Sequence, residues 1–200
     1  DSIQKYISSR TCSLLSTDYG EKVTFQIAVK KKEEDRKTDE KHYLLQQKEI
    51  ERVQKLLEGK VKILKGIEIG MYEDCHDEIR NVLHENSFDQ VLASVHYIQQ
   101  TDPYYGGYYD DKDWKQAYGT YLETIYREMT WLADFDIMGH YDYIVRYAPY
   151  PVTSILYRDF SDIFDEMFRY LIHEGKALEI NTKSYEGHRG RIVNLDKDVL

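Results

Sequence analysis

Cysteine is scarce. Cys12 and Cys75 are the only two in 200 residues, with no framework spacing, which excludes a disulfide-stapled scaffold and suits a reducing cytosol. Long apolar runs are missing as well: none approaches the roughly 18 residues that would span a bilayer. The opening, Asp1 to Ser9, is polar and amphipathic rather than a secretion signal. The chain starts at Asp1 instead of Met, so translation is expected to begin upstream. There is no basic excess either. A net charge of -9 argues against a nucleic-acid backbone or an anionic membrane as the main partner. A small anionic substrate stays compatible, because a local metal or arginine cluster outweighs a distant negative surface. These absences together point to a cytoplasmic protein with a small-molecule partner.

What is there reads as one α/β domain over residues 1–200, long enough to bury a substantial core. A short helix over 3–9 and a short strand over Ser13–Ser16 open the chain. The almost wholly charged stretch Lys30–Lys37 reads as solvated loop or helix start. Thr38 caps a helix whose first turn holds Asp39 and Glu40 and whose apolar face carries Ile50, Val53 and Leu57 up to Gly59. Strand and helix then alternate. Val61–Ile69 is a strand with Glu68 opposite its isoleucines, and Asp74–Glu85 is a helix turning Ile79, Val82 and Leu83 inward. Val91–Val95 is an apolar run ending in His96, followed by a long helix marked by Trp114, Tyr118, Leu122, Ile125, Met129 and Leu132. Phe135–Met138 is a strand closed by Gly139-His140. Phe160, Phe164, Met167 and Leu171 form a last helical stripe, and Ala177–Ile180 is a strand ending in Asn181. Such alternation predicts a mostly parallel sheet with helices outside, either a barrel or an open sheet.

Four polar residues share one setting: Glu68, His96, His140 and Asn181 each lie at or just past the end of a predicted strand. In parallel α/β folds these ends converge on one face, where active sites form. A carboxylate and two imidazoles are good ligands for Zn, Mn or Fe, and a divalent ion there acidifies water and holds phosphoryl oxygens. Any one histidine at a strand end is more often a hydrogen-bonded structural residue. Glu68 is harder to explain so, since an ionised carboxylate in an apolar strand is expensive without a cation. The spacing by itself stops at a metal hydrolase or metal-binding barrel.

The local sequence goes further. Gly66-Ile67-Glu68, Ala93-Ser94-Val95-His96 and Gly139-His140-Tyr141-Asp142, in that order, resemble the signature of the PHP (polymerase and histidinol phosphatase) family, histidinol-phosphatase branch. Phe88-Asp89-Gln90-Val91-Leu92, Phe135-Asp136-Ile137-Met138 and Leu178-Glu179-Ile180-Asn181-Thr182 are similar to the strands around it. The resemblance implies a distorted seven-stranded (β/α) barrel, here incomplete at both ends, with two or three divalent ions at the strand C-termini. It implies Glu68, His96 and His140 as metal ligands and catalytic residues, with Glu68 able to bridge two ions. Arg146 and Arg189, with Asn181, would hold the substrate, since both arginines follow strand ends. The implied reaction is release of phosphate from L-histidinol phosphate by a metal-activated water, a step of histidine biosynthesis.

The chain also departs from that pattern. The family's opening His-x-His strand is absent, Thr17-Asp18-Tyr19 stands where Thr-Asp/Glu-His is usual, and no late Asp-x-His appears before Leu200. Either flanking sequence supplies the missing parts, or the chain is a remnant without catalysis; a phosphoesterase acting on another ester is a further alternative. His42, His76, His84, His173 and His188 fall in predicted helices or loops and read as exposed. A tyrosine-rich loop, Tyr104 to Tyr109 around Gly106-Gly107, has the hinge freedom and the rings to cover an imidazole.

Overall fold

A computed structural model describes residues 12–17, 20–27, 48–60, 62–182 and 193–199. The predicted helix over 3–9, the charged stretch at Lys30–Lys37 and the Thr38 cap lie outside these residues. Among the described residues the chain forms two compact units. One draws on the chain up to Gly70 and on Asp74–Leu92; the other draws on Met71–Glu73 and the chain from Ala93 onward.

In the first unit, β1 (Cys12–Thr17) runs antiparallel to β2 (Gly20–Ile27), with Thr17 opposite Gly20 and an irregularity between Cys12 and Leu15. Strand β2 then pairs in parallel with β3 (Leu64–Gly70), from Lys22 opposite Leu64 to Ile27 opposite Ile69. The reading above has no strand at β2, although Val23, Phe25 and Ile27 alternate as a strand should. Helix α1 covers 48–56 and buries Ile50. Its Gln54 side chain donates to the carbonyl of Ile63 at 3.0 Å, tying the helix to the approach of β3. Helix α2 (His76–Glu85) buries Ile79 and places Asp77 and Glu78 at its positive end. Strand β4 (Gln90–Ser94) begins in this unit, where Asp89 clasps Lys65: its N–H donates to the Lys65 carbonyl at 2.6 Å and its carboxylate accepts the Lys65 N–H at 2.7 Å.

The second unit holds the end of β4. The Met71 N–H donates to the Ser94 carbonyl and the Gly139 N–H to the Ala93 carbonyl, both at 2.7 Å. Strand β5 (Ile137–Met138) pairs in parallel with β6 (Ala177–Leu178). Within the first unit the strand order is β1-β2-β3, and in the second β5 lies beside β6. Six strands lie among the described residues, and apart from β1 the paired strands β2–β3 and β5–β6 are parallel, so the fold is α/β as the alternation predicts.

Two long helices complete this unit. Helix α3 (Trp114–Leu132) starts on a capping box: Asp113 accepts the Gln116 N–H at 2.8 Å and the Gln116 side chain accepts the Asp113 N–H at 3.0 Å. Its face of Tyr118, Tyr121, Leu122, Ile125 and Met129 is fully buried. Helix α4 (Ser161–His173) buries Phe164, Met167 and Leu171 and is followed by Gly175 at φ +65°, the left-handed conformation that ends helices. Phe160 packs edge-on against Trp114, 6.1 Å between ring centres, where the two helices meet. No helix among the described residues is long and apolar enough to cross a membrane.

Candidate metal centre

The candidate ligands sit where their strands stop. Glu68 belongs to the first unit, near the C-terminal end of β3, and retains 9% of its surface between Ile67 and Ile69 at 1% each. Burial between such neighbours raises the cost of its charge and therefore its appetite for a cation.

The histidines belong to the second unit. His96 comes two residues after β4 and His140 two residues after β5. Their rings stack with 15° between planes and centres 4.8 Å apart, and their Nε2 atoms face each other at 2.6 Å. Such a pairing requires a shared hydrogen or, in its place, a shared cation. Burial, then the positive charges of His140 and Arg146, push the His96 pKa well below that of a free imidazole. A neutral imidazole is the form that ligates metal.

Both strand ends are pinned from behind. Tyr121, in the middle of α3, is wholly buried, and its hydroxyl lies 3.2 Å from the carbonyl oxygens of both Val95 and His140. Burial, then the negative charge of Asp142, raises the pKa of this phenol, so it keeps its hydrogen for donation. On the other side of His140 stands Glu179, one residue past β6. Its Oε2 accepts the main-chain N–H of His140 at 2.8 Å and lies 2.9 Å from the ring Nδ1. Burial pushes the Glu179 pKa up, but the hydrogen bonds from His140 and the positive charges of His140 and Arg146 outweigh it, and the carboxyl ends below the usual range. Sequence reasoning passes over Glu179 as a strand residue. The signal that could have found it is its position: like Glu68, it is an acid at a strand end.

Arg146 closes the short 3-10 helix Tyr143–Arg146 that follows His140. It lies near enough for its charge to act on His96 and Glu179, which puts one of the two expected phosphate-binding arginines beside the histidine pair. Arg189 lies outside the described residues. Asn181 is half-exposed two residues beyond Glu179.

The ring against the imidazoles is Tyr143, centred 4.5 Å from His96 and 5.7 Å from His140. The tyrosine-rich loop reaches this ring through Asp102, which accepts the Tyr104 N–H at 2.8 Å and the Tyr143 hydroxyl at 3.4 Å. Two of the loop's own tyrosines are committed elsewhere. Tyr108 is buried with its hydroxyl on the Ala117 carbonyl, and Tyr109 with its hydroxyl on the Ile144 carbonyl, each at 2.6 Å. The expected covering of an imidazole is thus performed by Tyr143, three residues after His140, with the loop buttressing it.

His96 and His140 bring two imidazole nitrogens together within the second unit, and Glu68 is the acid that the resemblance adds to them. Paired imidazole nitrogens suit Zn, Mn or Fe, and the carboxylate behind His140 is the arrangement that commonly orients a ligating histidine.

The chain is 34% identical over 139 residues to a histidinol-phosphatase of Lactococcus lactis, and 32% identical over 122 residues to a probable histidinol-phosphatase of Clostridium acetobutylicum. These matches cover 69% and 61% of this chain but 52% and 48% of the relatives, so the chain spans about half the length of the relatives it matches. A crystal structure of histidinol phosphate phosphatase from Lactococcus lactis, complexed with zinc, L-histidinol and phosphate, superposes with a TM-score of 0.64 at 34% identity. That superposition covers 70% of this chain and 53% of the other. The PHP domain family matches residues 13–183. The chain therefore belongs to the PHP domain family.

Proposed function

We propose that this chain is part of a cytoplasmic, metal-dependent phosphomonoesterase that hydrolyses L-histidinol phosphate to L-histidinol and phosphate in histidine biosynthesis. Residues 1–200 would form one PHP-type domain, a distorted seven-stranded barrel completed by flanking sequence. The observation that carries the reading is the paired Nε2 atoms of His96 and His140, 2.6 Å apart and backed by Glu179, in a PHP chain whose solved relative contains zinc.

In this reading Glu68, His96 and His140 hold the metal, two or three ions per site once the missing ligands are supplied. Bound ions would supply concentrated positive charge and acidify water. The chain's own residues do the rest. Arg146 and Arg189 hold the phosphate oxygens with a planar, permanently charged fork, and Asn181 contributes a neutral hydrogen bond. Tyr143 shields one side of the imidazoles from solvent. A small phosphorylated substrate, with no nucleic acid and no membrane, is the expected partner.

The test is phosphate release from L-histidinol phosphate by the full-length protein. The rate should rise with Zn, Mn or Fe and vanish with chelator. Glu68→Gln and His96→Ala should lose metal and activity while keeping the fold, and His84→Ala, on an exposed position of α2, should behave as the parent. No turnover with any divalent ion, on this ester or another phosphate monoester, would leave the non-catalytic remnant standing.

A further inference from the structure

We infer that Glu179 is a positioning residue that fixes which nitrogen of His140 faces the metal; the inference rests on the metal reading above. A single oxygen, Oε2, meets both the main-chain N–H of His140 at 2.8 Å and its ring Nδ1 at 2.9 Å. A carboxylate accepts hydrogens and does not donate them, so Nδ1 carries one. This holds whether His140 is neutral or an imidazolium. Nε2 is then the nitrogen directed at His96, 2.6 Å away. Because the same oxygen holds the backbone and the ring, the imidazole cannot turn about its side-chain bonds without breaking the contact.

The ring bond satisfies a buried Nδ1–H, and it does more than hold the strands together. A hydrogen bond to the main-chain N–H already satisfies that donor and ties β6 to the end of β5. Adding the second bond orders the ring and pulls electron density toward Nε2, which makes that nitrogen the stronger donor to a metal. Glu179 keeps only 28% of its side-chain surface and His140 7%, so little water competes for either bond.

The full-length protein, labelled with 15N-histidine, tests this by its ring-nitrogen shifts before and during titration with zinc. His140 is assigned by the signal lost in His140→Asn. The parent should show hydrogen on Nδ1 of His140 without metal, and zinc on Nε2 with it. Glu179→Ala should mix the tautomers in the metal-free protein and weaken zinc binding by about 10–100-fold. Glu179→Gln keeps an acceptor oxygen in place, so it should restore the tautomer and most of the affinity. Glu179→Ala with the parental tautomer and affinity would overturn the inference, as would a parent whose His140 carries its hydrogen on Nε2. If Glu179→Ala does not fold, a Glu179→Gln protein with mixed tautomers overturns it equally. A parent with the expected tautomer that binds no zinc would instead remove the metal reading and leave the Glu179–His140 arrangement intact.

Discussion

The hydroxyl of Tyr121 lies 3.2 Å from the carbonyl oxygen of His140, so a helix nineteen positions upstream in the chain holds the main chain that presents a candidate ligand. The same hydroxyl lies 3.2 Å from the Val95 carbonyl, next to His96. Tyr121→Phe keeps the ring and removes the donor from two buried acceptors. It should cost about 1–3 kcal/mol of stability, read as a lower urea midpoint at unchanged slope. Metal affinity should fall as well, since both imidazoles lose their anchoring. A variant as stable as the parent would show that the hydroxyl is redundant there.

The capping box at the start of α3 makes a separate forecast. Asp113→Ala removes the acceptor of the Gln116 N–H and should destabilise the protein by about 0.5–2 kcal/mol. Gln116→Ala should cost less, and the double variant less than the sum, because each residue serves the other. Thermal unfolding of the three variants measures the coupling.

Asp102 gives a pH dependence. Burial raises its pKa above the usual value, against the hydrogen bonds from Tyr104 and Tyr143 that lower it. A carboxyl with a raised folded pKa is bound to its proton more tightly in the folded than in the unfolded state. Its charge therefore costs stability at neutral pH, and the cost is relieved as pH falls through the raised folded pKa toward the unfolded value near 3.8. Asp102→Asn should accordingly gain most on the parent at pH 7 and least near pH 4. Denaturation at the two pH values gives the difference, and a gap that widens on acidification would contradict it.

Arg146 is assigned to phosphate by proposal, and kinetics separates that role from packing. Arg146→Ala should raise KM for the phosphate ester by about 10–100-fold, the worth of charge-assisted hydrogen bonds. Arg146→Lys should recover part of the loss, since it restores the charge but not the fork. An unchanged KM in a folded Arg146→Ala protein would make the residue structural.

Much of this molecule could be read in advance because its strands and helices carry their burial in one dimension. Tyr118, Leu122, Ile125 and Met129 recur at helical spacing, and α3 follows. The ends of β4 and β5 could be placed because His96 and His140 interrupt apolar runs. Strand lengths were less legible. The reading gives four residues to the strands at Phe135 and Ala177, whereas β5 and β6 keep two each. Here the apolar run outlasts the ladder: Ile180 is 55% exposed, and the pairing is held by main-chain bonds such as Glu179 N–H to the Met138 carbonyl at 2.8 Å. Strand β2 was missed because its alternating residues are interleaved with Glu21, Lys22 and Gln26 and run into the charged stretch beyond. Glu179 was missed for a different reason. Its partner lies 39 positions back along the chain, and no local period encodes that distance.

The phenols of Tyr108 and Tyr109 are fastened to the carbonyls of Ala117 and Ile144, and the turn between them and Pro103 needs the positive φ of Gly106 and Gly107. A segment tied at these points is masonry, not a door. Asp102 therefore meets the Tyr143 hydroxyl as part of a fixed frame and not of a closing one. At Gly107 a Cβ would meet Thr101 at an ordinary 3.6 Å, so it is the φ of +76° that resists a side chain there, and any other residue would strain the frame through its backbone.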